Sequence, residues 1–468
     1  MSATRNLLIA ACSAAGLLAA PAMADSFIII SKNGLPADIT AQVEAAGGHV
    51  TTLVPEIGVA IVESSDPDFR SNGANINGIQ GIAANVAVRM VSPQMPVTIS
   101  MEEAYANPPV SGDDDFYFDL QWGHQAVDAA GAWNAGYFGA GVRVAVLDSG
   151  IDAEHPDLAP NLNVALSESF VPGEDWNIQP GFYFNHGTHT AGTIAAADNG
   201  LGTIGIAPEA EIVAVKVLSE VTGSGAFGGI AAGMVHAANV GADVINMSLG
   251  ATIPRNCTFP VLDEAGNPTG ETEHFPARDC AHLLQMLQRA ADYAHNAGVT
   301  LIASAGNEAT DLDHNKSDVK VPAELKNVVS ISATAPIGWA MDPFNTPFNN
   351  LASYSNYGKT GIDFSAPGGD FILPGNDICL IGGVIQYCWV LDMVMSTISN
   401  GWGWSAGTSM AAPHVAGIAA LIIARNGGEM DPDDVVAELE RTATDYGWKK
   451  NDDVHGNGAV NAAAAVTE

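Results

Sequence analysis

Val144-Ala145-Val146-Leu147-Asp148-Ser149-Gly150-Ile151 reads as a buried strand that ends in a carboxylate and a glycine turn. The strand begins at Val142, and four more runs share its character: Glu211–Leu218, Asp243–Leu249, Val299–Ala303 and Val328–Ala333. Each is short, rich in β-branched residues and nearly all apolar. Strands of this kind are buried on both faces, which means a parallel sheet covered by helices. Helical stretches fall at His186–Ala197, Phe227–Ala238, Ala281–Asn296, Thr408–Arg425 and Asp431–Ala443. The fold class is therefore α/β, an open, mainly parallel twisted sheet with helices on both faces. Ligands of such sheets sit at the carboxyl ends of the strands. Two long stretches that read as irregular, Ala251–Asp279 and Pro367–Trp404, interrupt the pattern.

Toward the N-terminus the text changes. Residues 1–24 carry one charge, Arg5, then an apolar stretch and Ala22-Met23-Ala24 before Asp25, the pattern of a secretory signal peptide. Ile9-Ala10-Ala11-Cys12 also resembles a lipoprotein cleavage box. Residues 25–91 read as a small α+β unit: strands at Ser26–Ile30, His49–Leu53, Gly58–Val62 and Val86–Val91, and a helix at Pro36–Ala46. Residues 92–115, with their prolines and Gly112-Asp113-Asp114-Asp115, read as an exposed, easily cut linker that holds a processing site. The main domain is 116–468. No stretch beyond the leader reads as a stable membrane span.

Charge and cysteine narrow the class. The 468 residues hold 17 Lys+Arg and 52 Asp+Glu, a net of −35. Residues 111–468 contribute 43 acids and 13 bases, so the charge is spread over the main domain. A surface this acidic repels phosphate and excludes a nucleic-acid partner; it suits a soluble, exported monomer. Of five Cys, Cys12 lies in the leader. The other four allow three pairings, and their places in loop-like stretches favour Cys257–Cys280 and Cys379–Cys388, as expected in an oxidising compartment.

Four segments carry chemistry. Asp148 closes the first strand. Asn185-His186-Gly187-Thr188-His189 opens a helix; its two imidazoles lack the spacing and the Glu of a zinc HExxH site, so His186 reads as the reactive one and His189 as structural. Ala305-Gly306-Asn307-Glu308 follows a strand. Gly407-Thr408-Ser409-Met410 enters a long helix. Each alone is an ordinary cap or turn. Together they supply a nucleophile, a base, an orienting carboxylate and oxyanion donors, the complete set for acyl transfer. A second motif, Gly223-Ser224-Gly225-Ala226-Phe227-Gly228, matches a dinucleotide fingerprint, but a lone match is weak. No organic cofactor is expected.

Val-Ala-Val-Leu-Asp-Ser-Gly-Ile, His-Gly-Thr-His-Thr-Ala-Gly and Gly-Thr-Ser-Met-Ala-Ala-Pro-His-Val-Ala-Gly resemble the signature segments of the subtilisin-like serine proteases, over about 121–465. The resemblance implies Asp148 as orienting acid, His186 as general base and acid, Ser409 as nucleophile and Asn307 as oxyanion donor. It implies a secreted endopeptidase acting on polypeptides. Gly223, Ser224 and Gly225 would form one edge of the substrate cleft and Ser248, Leu249 and Gly250 the other, so that main-chain pairing gives broad specificity. Glu308 falls at the rim of the main specificity pocket, and Pro322 matches a cis proline. Residues 25–91 resemble the family's inhibitory, ferredoxin-like propeptide. A carboxyl-type serine peptidase would lack His-Gly-Thr-His, and a non-catalytic binder would have a broken triad. Finally, Asp157, Ala197, Asn199, Leu201 and Thr203 align with a calcium loop of the family. Its last ligand falls on Phe118, so Asp119, Asp115 or water must substitute.

Overall fold

The computed structural model describes residues 25–90, 97–99, 112–178, 186–263, 265–446 and 451–468. The leader 1–24, most of the linker and Asn185 lie outside the described residues.

Among the described residues, eight strands form the main sheet. In spatial order they are Asn350–Leu351, Val328–Ala335, Thr300–Ser304, Val244–Met247, Arg143–Asp148, Glu211–Lys216 and Glu168–Ser169, with Phe364–Pro367 also paired to Val328–Ala335. All pairings are parallel except that of Asn350–Leu351. The pleat explains the continuous apolar runs. Val144 and Val146 enter one core with the helices His186–Ala195 and Thr408–Arg425. Ala145 and Leu147 enter the other, with the helices Phe227–Asn239 and Ala277–Asn296. The strand order runs outward in both directions from the Arg143–Asp148/Val244–Met247 pair. That is a topological switch point, and a crevice opens at its carboxyl ends.

Thr408–Arg425 is the one described helix long and apolar enough to cross a membrane, and it is buried in the core instead.

The N-terminal unit runs strand, helix, strand, strand, helix, strand, with an antiparallel sheet ordered His49–Val54, Val59–Ser64, Asp25–Ser31, Ile79–Ala84. Phe27, Ile29, Val43 and Phe69 fill its own core. The other face, with Ile28, Ile30 and Val59, packs into the main domain's second core. Polar contacts fasten the two: Arg289 donates to the carbonyls of Ser31 and Ile57, and Arg70 pairs with buried Asp279 at 2.7 Å.

Three sequence expectations change here. The strand that completes the N-terminal sheet is Ile79–Ala84, not Val86–Val91. Gly81 interrupts its apolar pattern because the ring of His282 packs there, 2.1 Å from where a Cβ would stand. Ala87–Arg89 instead pairs antiparallel with Ser224–Ala226 of the main domain. Second, the stretches read as irregular contain hairpins: Thr258–Leu262 with Pro268–His274, Ile378–Ile381 with Val384–Tyr387, and Val394–Ile398 with Gly401–Ser405. Pro260 and the solvent-exposed residues 268–274 hid the first of these. Third, the linker is not uniformly exposed. Val97–Ile99 adds a strand to Gly401–Ser405, and Asp115 is fully buried.

Candidate active site

Asp148 and His186 meet because one strand ends where one helix begins. The carboxylate of Asp148 is fully buried, and His186 Nδ1 lies 2.9 and 2.8 Å from its two oxygens. The Ser149 N–H donates to the same carboxylate at 2.6 Å and the Thr190 hydroxyl at 3.4 Å. The helix approaches this closely because residue 187 is glycine; a Cβ there would stand 2.2 Å from the Gly150 carbonyl. His189, one turn on, lies buried with Nε2 3.1 Å from the Val394 carbonyl. Burial, with the neighbouring His186, lowers its pKa to about 3, so it stays a neutral packing residue.

Ser409 opens the helix Thr408–Arg425 at the same end of the sheet. Its hydroxyl donates to the Ser248 carbonyl at 3.1 Å, and the Ser248 hydroxyl donates back to the Ser409 carbonyl at 2.7 Å. Asn307 is held by its neighbour in the helix: its Oδ1 accepts from the Thr408 N–H at 2.9 Å and the Thr408 hydroxyl at 2.8 Å. With the oxygen so occupied, the Asn307 amide presents its two N–H donors elsewhere.

Asn307, Glu308, Gly250 and Ser409 line a cavity of about 410 Å³ together with Arg89 and Met90 of the N-terminal unit. The chain's own segment thus lies along the edge that holds Gly223, Ser224 and Gly225: besides the strand pairing, the Met90 N–H donates to the Gly223 carbonyl at 3.1 Å. Leu249 is buried beneath the opposite wall. Glu308 does not face the cavity as a free charge. Its carboxylate accepts from Lys320 at 3.1 Å and Asn356 Nδ2 at 2.6 Å. The Val321–Pro322 peptide is cis.

The disulfides are Cys257–Cys280 and Cys379–Cys388, with S–S lengths of 2.06 and 2.08 Å.

The candidate cation loop is partly formed. Asp157 is fully buried; its Oδ2 accepts from the Thr203 N–H and the Trp402 indole, while its Oδ1 has no partner. Such an orphaned carboxylate oxygen fits a cation. The side-chain oxygen of Asn199 is engaged by the Leu201 N–H, and the Ala197 N–H donates to the Asp157 carbonyl. Of the substitutes considered, Asp115 reaches the loop, at 3.4 Å from the Asn199 N–H. With Asp113, Asp114 and Asp198 it forms a cluster whose ligand atoms lie within 4.8 Å of one another.

Three supporting residues escaped the sequence reading. Thr408 orients Asn307 and Thr190 supports Asp148. Lys216, fully buried, donates to the Ser149 carbonyl at 2.6 Å and pairs with Glu174 and Glu220. Lys216 had a visible signal: a lysine ending an apolar strand stays buried only when paired.

The model of the "Subtilase family" matches residues 139–458. The M-protease of Shouchella clausii is 35% identical over 347 residues, 74% of this chain and 70% of the relative. Subtilisin BL of Lederbergia lenta is also 35% identical over 347 residues, covering 98% of that protein. Among solved structures, a lanthipeptide protease is 30% identical with a TM-score of 0.57, covering 74% of this chain and 93% of the other. The epidermin leader peptide processing serine protease of Staphylococcus aureus shares the fold at a TM-score of 0.72 and 22% identity, over 95% of this chain and 98% of its own.

Proposed function

The chain belongs to the subtilase family and is a subtilisin-like serine endopeptidase; from that premise we propose that Asp148, His186 and Ser409 are its triad and that it is secreted as a self-inhibited precursor. The observation that carries the triad is the buried Asp148 carboxylate bonded to His186 Nδ1 at 2.8 Å. Rotation of the Ser409 hydroxyl away from the Ser248 carbonyl delivers its proton to His186 as the oxygen attacks a peptide carbonyl. Asp148 holds the imidazole in the required tautomer and stabilises the imidazolium. The Asn307 amide and the Ser409 N–H stabilise the oxyanion, the amide contributing about 3 kcal/mol in enzymes of this kind. His186 then protonates the leaving amine, and water completes hydrolysis.

Residues 25–91 act as the propeptide. Their last described segment pairs with Ser224–Ala226 as an extended substrate would. That main-chain pairing supports a broad preference for unfolded polypeptide. Autocatalytic processing within 92–115 frees the cleft, and the leader 1–24 directs export.

A structural Ca²⁺ is the second part of the reading. Asp157 and the carbonyls of Ala197, Leu201 and Thr203 would hold it with Asn199, and Asp115 stands nearby. Calcium takes six to eight oxygens and supplies cross-linking charge, not chemistry. Chelator should lower the melting temperature of the mature protein and speed autolysis, and Asp157→Asn should remove that sensitivity; no change on chelation rejects the site. The triad is tested by casein hydrolysis: His186→Ala and Ser409→Ala should each abolish it, and retained hydrolysis in either variant rejects the assignment.

A further inference from the structure

The side chain of Arg89 is gripped by the hairpin Thr258–His274. Its Nη2 donates to the Ala265 carbonyl at 2.9 Å and its Nη1 to Asn267 Oδ1 at 3.0 Å, while its Nε donates to the Thr222 carbonyl at 3.3 Å. Three acceptors therefore surround one planar guanidinium, an arrangement that a lysine ammonium satisfies less well.

The hairpin tip is shaped for this. Asp263 Oδ1 accepts the N–H groups of Ala265 and Asn267 at 3.0 and 2.7 Å, closing the turn. Asp263 Oδ2 accepts from Asn267 Nδ2 at 3.4 Å, which leaves the amide oxygen aimed at Arg89. The Asn267 N–H above all, with the Arg89 charge contributing, holds the Asp263 carboxyl below its usual range. The tip also seats on the substrate edge itself. Gly266 has φ +74°, and a Cβ there would stand 2.8 Å from Thr222 Cβ and 3.0 Å from the Thr222 carbonyl. At the base, Cys257–Cys280 ties the hairpin to the helix Ala277–Asn296.

Arg89 lies in register with Ser224, and Met90 already shares its cavity with Asn307 and Ser409. A substrate following this path brings the next residue's carbonyl to Ser409. We propose that the hairpin is a specificity element selecting a basic side chain, arginine above lysine, at the third residue before the bond cut. The inference rests on the peptidase reading and adds one preference to its main-chain recognition. Glu308, neutralised by Lys320, does not supply it.

The test is digestion of a mixed peptide library by the matured full-length product, with cut sites aligned by mass spectrometry. Arginine should be enriched at least fivefold over alanine and glutamate at the third position, with lysine intermediate. Asn267→Leu should lower that enrichment at least threefold; should it fail to mature, Asn267→Ala carries the same expectation. A flat profile at that position in the parent overturns the inference, and so does an enrichment that both substitutions leave intact. Absence of cleavage of both the library and casein sinks the peptidase reading, and this inference with it.

Discussion

Thr408 shows how much rests on one small side chain next to Ser409, the proposed nucleophile. Its N–H and hydroxyl fix the Asn307 oxygen, so the amide donors are oriented before any substrate arrives. Thr408→Val keeps the shape and the N–H bond but loses the hydroxyl. It should lower kcat on the order of tenfold, against roughly 10²–10³ for Asn307→Leu; a kcat equal to the parent's would deny Thr408 this positioning role. The four residues proposed for the reaction stand out in the sequence because each sits in a short segment whose geometry is local: a strand end, a helix mouth, a turn. The roles of Thr190 and Lys216 were not legible, since what they do depends on packing between segments 42 and 67 residues apart. Glu308 shows the same limit. It follows Asn307 in the sequence, but its ion-pair partner, Lys320, comes from the strand Asp318–Val321.

Among the elements, the main sheet was readable because strands buried on both faces announce themselves by continuous apolar runs. The hairpins were not: Pro268–His274 is exposed throughout and shows no apolar pattern, Val394–Ile398 is buried but short, and the pairing alone defines them. The segment after residue 84 joins a different sheet from the one its sequence suggests: Ala87-Val88-Arg89 suits any open edge, and the edge it takes, Ser224–Ala226, belongs to the main domain. Replacing Cys257 and Cys280 by serine should destabilise the mature protein by about 2–4 kcal/mol and loosen the hairpin. Equal melting temperatures would show that the crosslink adds nothing. Asp392 gives a pH dependence. Burial raises its carboxyl to about 6 although the Gly338 and Trp339 N–H groups bond to it. Its contribution to stability is then complete below the ordinary carboxylate value and is lost as pH rises through about 6. The melting temperature should fall between about pH 4 and pH 6, less steeply in Asp392→Asn; parallel slopes contradict this.

At the scale of the molecule, a net charge of −35 over 468 residues should make the fold self-repelling and salt-stabilised. Its melting temperature should climb between low salt and about 0.5 M NaCl, and a flat curve would contradict that. The N-terminal unit shares an apolar core with the main domain and lays its last segment in the cleft. Ser409→Ala should therefore accumulate as a precursor of nearly full length, and normal maturation of that variant produced alone would exclude self-processing. The central claim, that Ser409 is a nucleophile activated by His186 and Asp148, is tested most directly by the intact mass of the matured protein after treatment with phenylmethanesulfonyl fluoride. One sulfonyl adduct, mapped to Ser409 and matched by loss of casein hydrolysis, is the predicted result. A folded, processed protein that hydrolyses casein yet takes up no adduct at Ser409 would contradict it.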